Sequence, residues 1–102
     1  MGEYVQAAKT NDVAPGTAAC VDVRGTPIAL FNIEGSFFAI GNTCTHRGGP
    51  LAEGSIEGDE VTCPWHGARY RISTGEVLSP PAPAGVPKYN VRVQGDDIEI
   101  EI

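Results

Sequence analysis

At 102 residues and 41% hydrophobic side chains, the chain is long enough for one domain with an ordinary core and too apolar for a disordered segment. Thirteen acidic against seven basic residues leave a formal charge of −6, which argues against a nucleic-acid partner. The apolar runs fall far short of a membrane span, and no charged stretch followed by an apolar one opens the chain to direct export. Three cysteines make a poor disulfide framework, so a reducing, cytoplasmic setting is expected. A chain of this size buries only about two-thirds of its unfolded surface, so a bound inorganic centre would help to hold it together.

Residues 3–8 read as a first strand, followed by a loop through Asn11, Asp12, Pro15 and Gly16. Residues 19–23 alternate and end at the turn signal Gly25-Thr26-Pro27. Residues 28–33 and 37–40 form a hairpin around Glu34-Gly35-Ser36. Residues 54–62 form a second, whose acidic Glu57-Gly58-Asp59-Glu60 is read as a plain turn with no further role. Residues 69–72 and 76–78 form a third around Ser73-Thr74-Gly75. After a proline-rich stretch over 79–87, residues 89–93 read as one returning strand. A turn at Gly95-Asp96-Asp97 leads into residues 98–102, whose strict alternation places three isoleucines on one buried face. No stretch keeps a helical period. The expected class is all-β, built of several small antiparallel sheets in one domain over 1–102.

Two short loops concentrate the chemistry. The first is Cys44-Thr45-His46-Arg47-Gly48-Gly49-Pro50; the second is Cys63-Pro64-Trp65-His66-Gly67-Ala68, with sixteen residues between His46 and Cys63. The chain has two histidines and three cysteines, and both histidines and two of the cysteines fall here, which points to a metal centre. Two cysteines and two histidines satisfy tetrahedral zinc, so a zinc-binding structural module stays open. Zinc fingers, however, set both cysteines together and both histidines together. Here each loop carries one of each, an arrangement that suits a dinuclear iron–sulfur centre with thiolates on one iron and imidazoles on the other.

Cys-x-His, sixteen residues, then Cys-x-x-His resembles the Rieske motif. With Leu51 after the first loop and Arg69-Tyr70 after the second, the chain is similar across most of its length to Rieske-type ferredoxins of aromatic-ring dioxygenase systems. The resemblance implies a Rieske-type fold of small antiparallel sheets, with a cluster-binding part at about 42–82 built of two loops. It also implies one [2Fe–2S] cluster, with Cys44 and Cys63 on the inner iron and His46 and His66 on the outer. Both histidines are then used, which leaves none for a mononuclear oxygenase iron or a nucleophile–base pair. The implied function is a soluble one-electron carrier with no catalytic residues, taking electrons from a flavin-dependent reductase and passing them to a ring-hydroxylating terminal oxygenase. The alternative, from a different class, is a non-catalytic Rieske-like subunit of a nitrite reductase or another multicomponent oxidoreductase.

Neutral imidazoles in place of two thiolates raise such clusters to roughly −150 to +300 mV. High-potential relatives add a cysteine in each loop and a serine hydroxyl; this chain has Gly49, Trp65 and Ala68 at those positions. Tyr70 keeps the position from which the relatives' tyrosine donates to a ligand sulfur; with one donor kept and one lost, a low potential is expected. Gly48, Gly49 and Gly67 are read as places where backbone N–H groups approach the sulfurs. Pro80, Pro81 and Pro83 are read as a stiff cover over one side of the cluster. Trp65 is read as a part-exposed docking contact at the loop tip, and Cys20 as a buried small apolar residue outside the centre. Arg47, Arg69 and Arg71 are either solvated surface charges or a local positive patch that orients partners.

Overall fold

A computed structural model describes residues 3–43, 50–65, 67–79 and 84–101. Its strands are β1 (Tyr4–Lys9), β2 (Thr17–Val23), β3 (Thr26–Ile33), β4 (Ser36–Gly41), β5 (Ser55–Glu57), β6 (Glu60–Thr62), β7 (Arg69–Arg71), β8 (Val77–Ser79), β9 (Lys88–Tyr89), β10 (Val91–Gln94) and β11 (Asp97–Glu101). Two one-turn 3-10 helices, Thr10–Asp12 and Leu51–Glu53, are the helical elements among the described residues. The strands make three antiparallel sheets, ordered β1-β11-β10, β2-β3-β4-β9 and β5-β6-β7-β8. The all-β architecture of small antiparallel sheets is the expected one.

Strand β3 explains how the sheets stack. Its run Ile28, Ala29, Leu30 and Phe31 is fully buried, so it faces apolar surroundings on both sides. Ile28 and Leu30 pack with Val13, Val23, Ala39, Ile98 and Ile100, beneath the β1-β11-β10 sheet. Ala29 and Phe31 pack the other way, with Ile40, Leu51, Val61, Cys63, Ala68, Tyr70, Ile72 and Val86, beneath the β5-β6-β7-β8 sheet. The β2-β3-β4-β9 sheet is therefore the middle layer, and each large side chain buried there contributes roughly 1.5–3 kcal/mol.

The turns follow from local chemistry. Arg24 and Gly25 (φ 53° and 86°) join β2 to β3, and Glu34 and Gly35 (φ 54° and 92°) join β3 to β4. Two successive positive φ values make the two-residue turn whose twist matches antiparallel strands, and glycine holds the second position without strain. Alternation in β11 buries Ile98 and Ile100 as expected, while Ile102 lies outside the described residues.

One expected strand is two. Lys88–Tyr89 pairs with β4, whereas Val91–Gln94 pairs with β11 in a different sheet. Asn90 marks the switch: its carbonyl accepts from Glu101 N–H at 2.9 Å and its amide donates to the Glu101 carboxylate at 2.7 Å. Alternation reports which side chains are buried, not which strand the backbone pairs with. No described helix is long and apolar enough to cross a membrane.

Candidate metal centre

The first loop rises from the end of β4. Cys44, His46, Arg47, Gly48 and Gly49 lie outside the described residues, but the base of the loop is well defined. Thr43 bridges Pro50 across it. Asn42, buried just before the bridge, donates its backbone N–H to Pro27 O at 3.1 Å and accepts from Leu51 N–H at 2.8 Å. Its side-chain Oδ1 accepts the Ala52 N–H at 2.8 Å. Beyond the 3-10 turn, a Cβ on Gly54 would stand 2.2 Å from the Thr62 carbonyl. Only glycine lets the stem of the first loop lie against the strand that delivers Cys63.

The second loop joins β6 to β7. Cys63 N–H donates to Ala68 O at 2.7 Å and closes its base. Cys63 is 2% exposed, with Ala68 and Tyr70 fully buried in the same core. The Trp65 backbone N–H donates to Cys63 Sγ at 3.4 Å. Gly67 has φ +77°, a left-handed conformation that a side chain would strain, and a Cβ there would meet no atom within 4 Å. In this chain the glycine is therefore needed for its backbone conformation. Trp65 is 49% exposed, as expected for a loop tip. His66 lies outside the described residues.

The proline-rich stretch is a third segment of interest. Pro80, Pro81 and Pro83 lie outside the described residues, so their reading as a cover rests on the family pattern. Both flanks are anchored. Ser79 Oγ accepts from Arg69 N at 3.2 Å and Nε at 3.4 Å. On the far side Val86 N–H donates to Gly75 O, and Gly41 N–H to Pro87 O, each at 2.8 Å. A Cβ on Gly75 would stand 2.2 Å from Val86 O.

The acidic turn, expected to be inert, has a structural role. The Asp59 carboxylate accepts from Ser73 N at 3.0 Å and Ser73 Oγ at 2.7 Å, and its carbonyl accepts from Ile72 N at 2.7 Å. It thereby ties the β5–β6 turn to the β7–β8 turn. Its neighbours also alter the reading of the arginines. Arg69 pairs with Glu60 at 3.2 Å, and Arg71 with Asp59 at 3.7 Å and Glu76 at 3.6 Å. Neither stands as an uncompensated positive charge, so a positive patch is not built from these two.

Cys20 departs from expectation: it is exposed. It pairs in register with the buried Ala29, but it lies on the edge strand β2, where Val23 is buried and Cys20 is not. Partial desolvation, with the Asp22 and Glu53 carboxylates adding to it, raises its thiol pKa. The contributions of Asn42 and Asp59 were not read from the sequence. An asparagine two residues before Cys44 and an aspartate in a tight turn were the available signals, and both are equally common in plain loops.

The described residues fit an iron–sulfur group. Cys63 offers a buried sulfur that already accepts a backbone N–H, the environment that stabilises a thiolate ligand. Comparison with known proteins agrees. The family model for the Rieske [2Fe-2S] domain matches residues 3–90. The 3-phenylpropionate/cinnamic acid dioxygenase ferredoxin subunit of Escherichia coli O139:H28 is 38% identical over 99 residues, covering 96% of this chain and 92% of that one. Among solved structures, the ferredoxin of carbazole 1,9a-dioxygenase from Nocardioides aromaticivorans IC177 superposes with a TM-score of 0.90 at 29% identity, over 95% of both chains. A chain from a complex of reduced oxygenase and oxidized ferredoxin in carbazole 1,9a-dioxygenase gives 0.88 at 29% identity, over 96% of this chain and 92% of that one. A putative NADH-dependent nitrite reductase small subunit from Mycobacterium tuberculosis gives 0.89 at 24% identity, covering 100% of this chain and 96% of that one, a likeness of fold alone.

Proposed function

This chain belongs to the Rieske [2Fe-2S] domain family, and from that premise we propose that it is the ferredoxin component of a ring-hydroxylating dioxygenase system, a one-electron carrier and not a catalyst. The observation that carries the reading is near-complete overlap, in sequence and in fold, with proteins named as ferredoxins of such systems. The nitrite-reductase alternative has a likeness of fold behind it and no more.

The chain carries one Rieske-type cluster. When bound, that group supplies a site that takes up and releases a single electron at a higher potential than an all-cysteine cluster. We assign Cys44, His46, Cys63 and His66 as its ligands, the cysteines on the inner iron and the histidines on the outer, within a cluster-binding part at about 42–82 of a single domain over 1–102. The other residues set its surroundings. The Trp65 N–H donates to the Cys63 sulfur and favours the more electron-rich state, while Ala68 and Tyr70 keep water from that side. Exposed Trp65 offers a partner an apolar contact beside the second loop.

The electron acceptor is a terminal oxygenase, the kind of partner present in the solved carbazole dioxygenase complex, and the donor is a flavin-dependent reductase. The cytoplasm, where both would be found, is the proposed location. Purified protein tests the reading directly. It should be red-brown, contain iron and labile sulfide, and give a rhombic electron paramagnetic resonance signal when reduced. Reduced protein mixed with a ring-hydroxylating oxygenase should then become oxidised as that enzyme turns over. A colourless zinc protein, or a reduced cluster that no such oxygenase reoxidises, would overturn it.

A further inference from the structure

Asn32 and Asn42 are the buried polar side chains among the described residues, and they lie towards opposite ends of the β3–β4 hairpin. Asn32 serves the end away from the centre: its amide donates to Val13 O and its Oδ1 accepts Gly35 N–H, each at 2.8 Å. Asn42 stands two residues before Cys44, and its bonds run across the base of the first loop.

The side-chain bond is the one that requires an asparagine. Any residue could supply the main-chain bonds to Pro27 and Leu51. The Oδ1 bond goes to Ala52, inside the Leu51–Glu53 turn, whose N-cap Pro50 makes no side-chain cap of its own. The first N–H groups of a helical turn need an acceptor, and the Asn42 carboxamide provides it from the far side of the loop. The same turn carries Leu51, fully buried in the core with Cys63, Ala68 and Tyr70. One carboxamide thus joins the stem of the first loop to the packing beneath the second.

We infer that Asn42 is a positioning residue for the metal centre. It clamps the segment bearing Cys44 and His46 to the core that seats Cys63, and so sets how firmly the cluster is held and what geometry its ligands keep. This rests on the ligand assignment above.

The test uses the full holoprotein, with Asn42→Ala compared against Asn32→Ala and Asn42→Asp. Four quantities are read: the rate at which visible absorbance is lost to a chelator, the paramagnetic spectrum of the reduced protein, its midpoint potential and the urea midpoint. Both alanine variants should unfold at lower urea, since each strands buried N–H or C=O groups. Asn42→Ala alone should lose its cluster about tenfold faster, the effect of roughly one buried hydrogen bond, and shift its spectrum. Asn42→Asp keeps the acceptor and should restore retention and spectrum, while its charge lowers the potential. Wild-type cluster loss and spectrum in Asn42→Ala, the same changes in Asn32→Ala, or an Asn42→Asp that behaves like Asn42→Ala would each overturn the inference. Should Asn42→Ala fail to accumulate, hydrogen exchange in the wild-type holoprotein decides. The Ala52 amide should exchange as slowly as that of Leu51, and exchange at the rate of an open turn would refute the clamp. His46→Ala tests the ligand assignment separately: an unaltered Rieske spectrum there would sink that assignment, whatever Asn42 does.

Discussion

The two faces of β3 look onto two different kinds of structure. On the side of Ile28 and Leu30, the core is closed by the five-residue strand β11, which pairs in unbroken register with β10 and, across one bulge at Gln6–Ala8, with β1. Backbone ladders hold that half together, and its buried side chains are aliphatic. On the side of Ala29 and Phe31, the covering strands β5, β6, β7 and β8 are three residues each. Such short strands have few ladder bonds, and side chains take over part of the work: Asn42, Asp59 and Ser79 each reach main-chain N–H groups far along the chain. The lesson is that the half containing Cys63 trades regular pairing for specific polar ties. Such ties fix loops in place where a ladder could not.

The largest break between the halves should come from Cys63→Ser. Removing this sulfur should abolish the native cluster signal while the β1-β11-β10 side keeps its strand content, as read by iron and sulfide analysis alongside far-ultraviolet circular dichroism. Next in size is the core itself. Tyr70→Ala should cost about 3–5 kcal/mol, against about 0.5–1.5 kcal/mol for Ile98→Val on the other face, measured by urea unfolding of the holoprotein. Asp59→Ala should cost about 1–3 kcal/mol, because it strands Ser73 N–H and Oγ, and amide exchange should quicken over 69–79 but not in β11. Asp22→Ala, which frees an exposed Gly25 N–H, should cost no more than about 0.5 kcal/mol. Tyr70→Phe should leave the fold intact and lower the midpoint potential by about 40 mV, the equivalent of ~1 kcal/mol for one electron. An unmoved potential in voltammetry would remove Tyr70 from the cluster's surroundings.

The smallest effect lies on the ladder side. Lys9 bonds the Asp97 carboxylate, which, with further help from Asp96 and Asp12, raises its pKa. A raised folded-state pKa contributes stability that is fully present below the ordinary lysine value, about 10.4, and is lost as pH rises through the raised one. Stability of the wild type should therefore fall slightly more than that of Lys9→Met above that pH, and the pair's exposure keeps the difference small.

Much of this molecule was legible in its residues. Alternation marked Ile98 and Ile100 as buried, glycine-containing turns placed the hairpins, and the paired Cys and His spacing pointed to the family whose model matches the chain. Each of those signals is local: a period of two, a backbone that only glycine adopts readily, cysteines and histidines a fixed number of residues apart. Other features depended on what lay alongside. Residues 89–93 turned out to serve two sheets because different strands flank the two ends. Cys20 is exposed because β2 has no neighbour on its outer edge. The ties from Asn42 to Ala52 and from Asp59 to Ser73 join residues that only folding brings within hydrogen-bonding distance. Periodicity and spacing are written along the chain, whereas a side chain's partner and an edge strand's exposure exist only once the sheets have stacked.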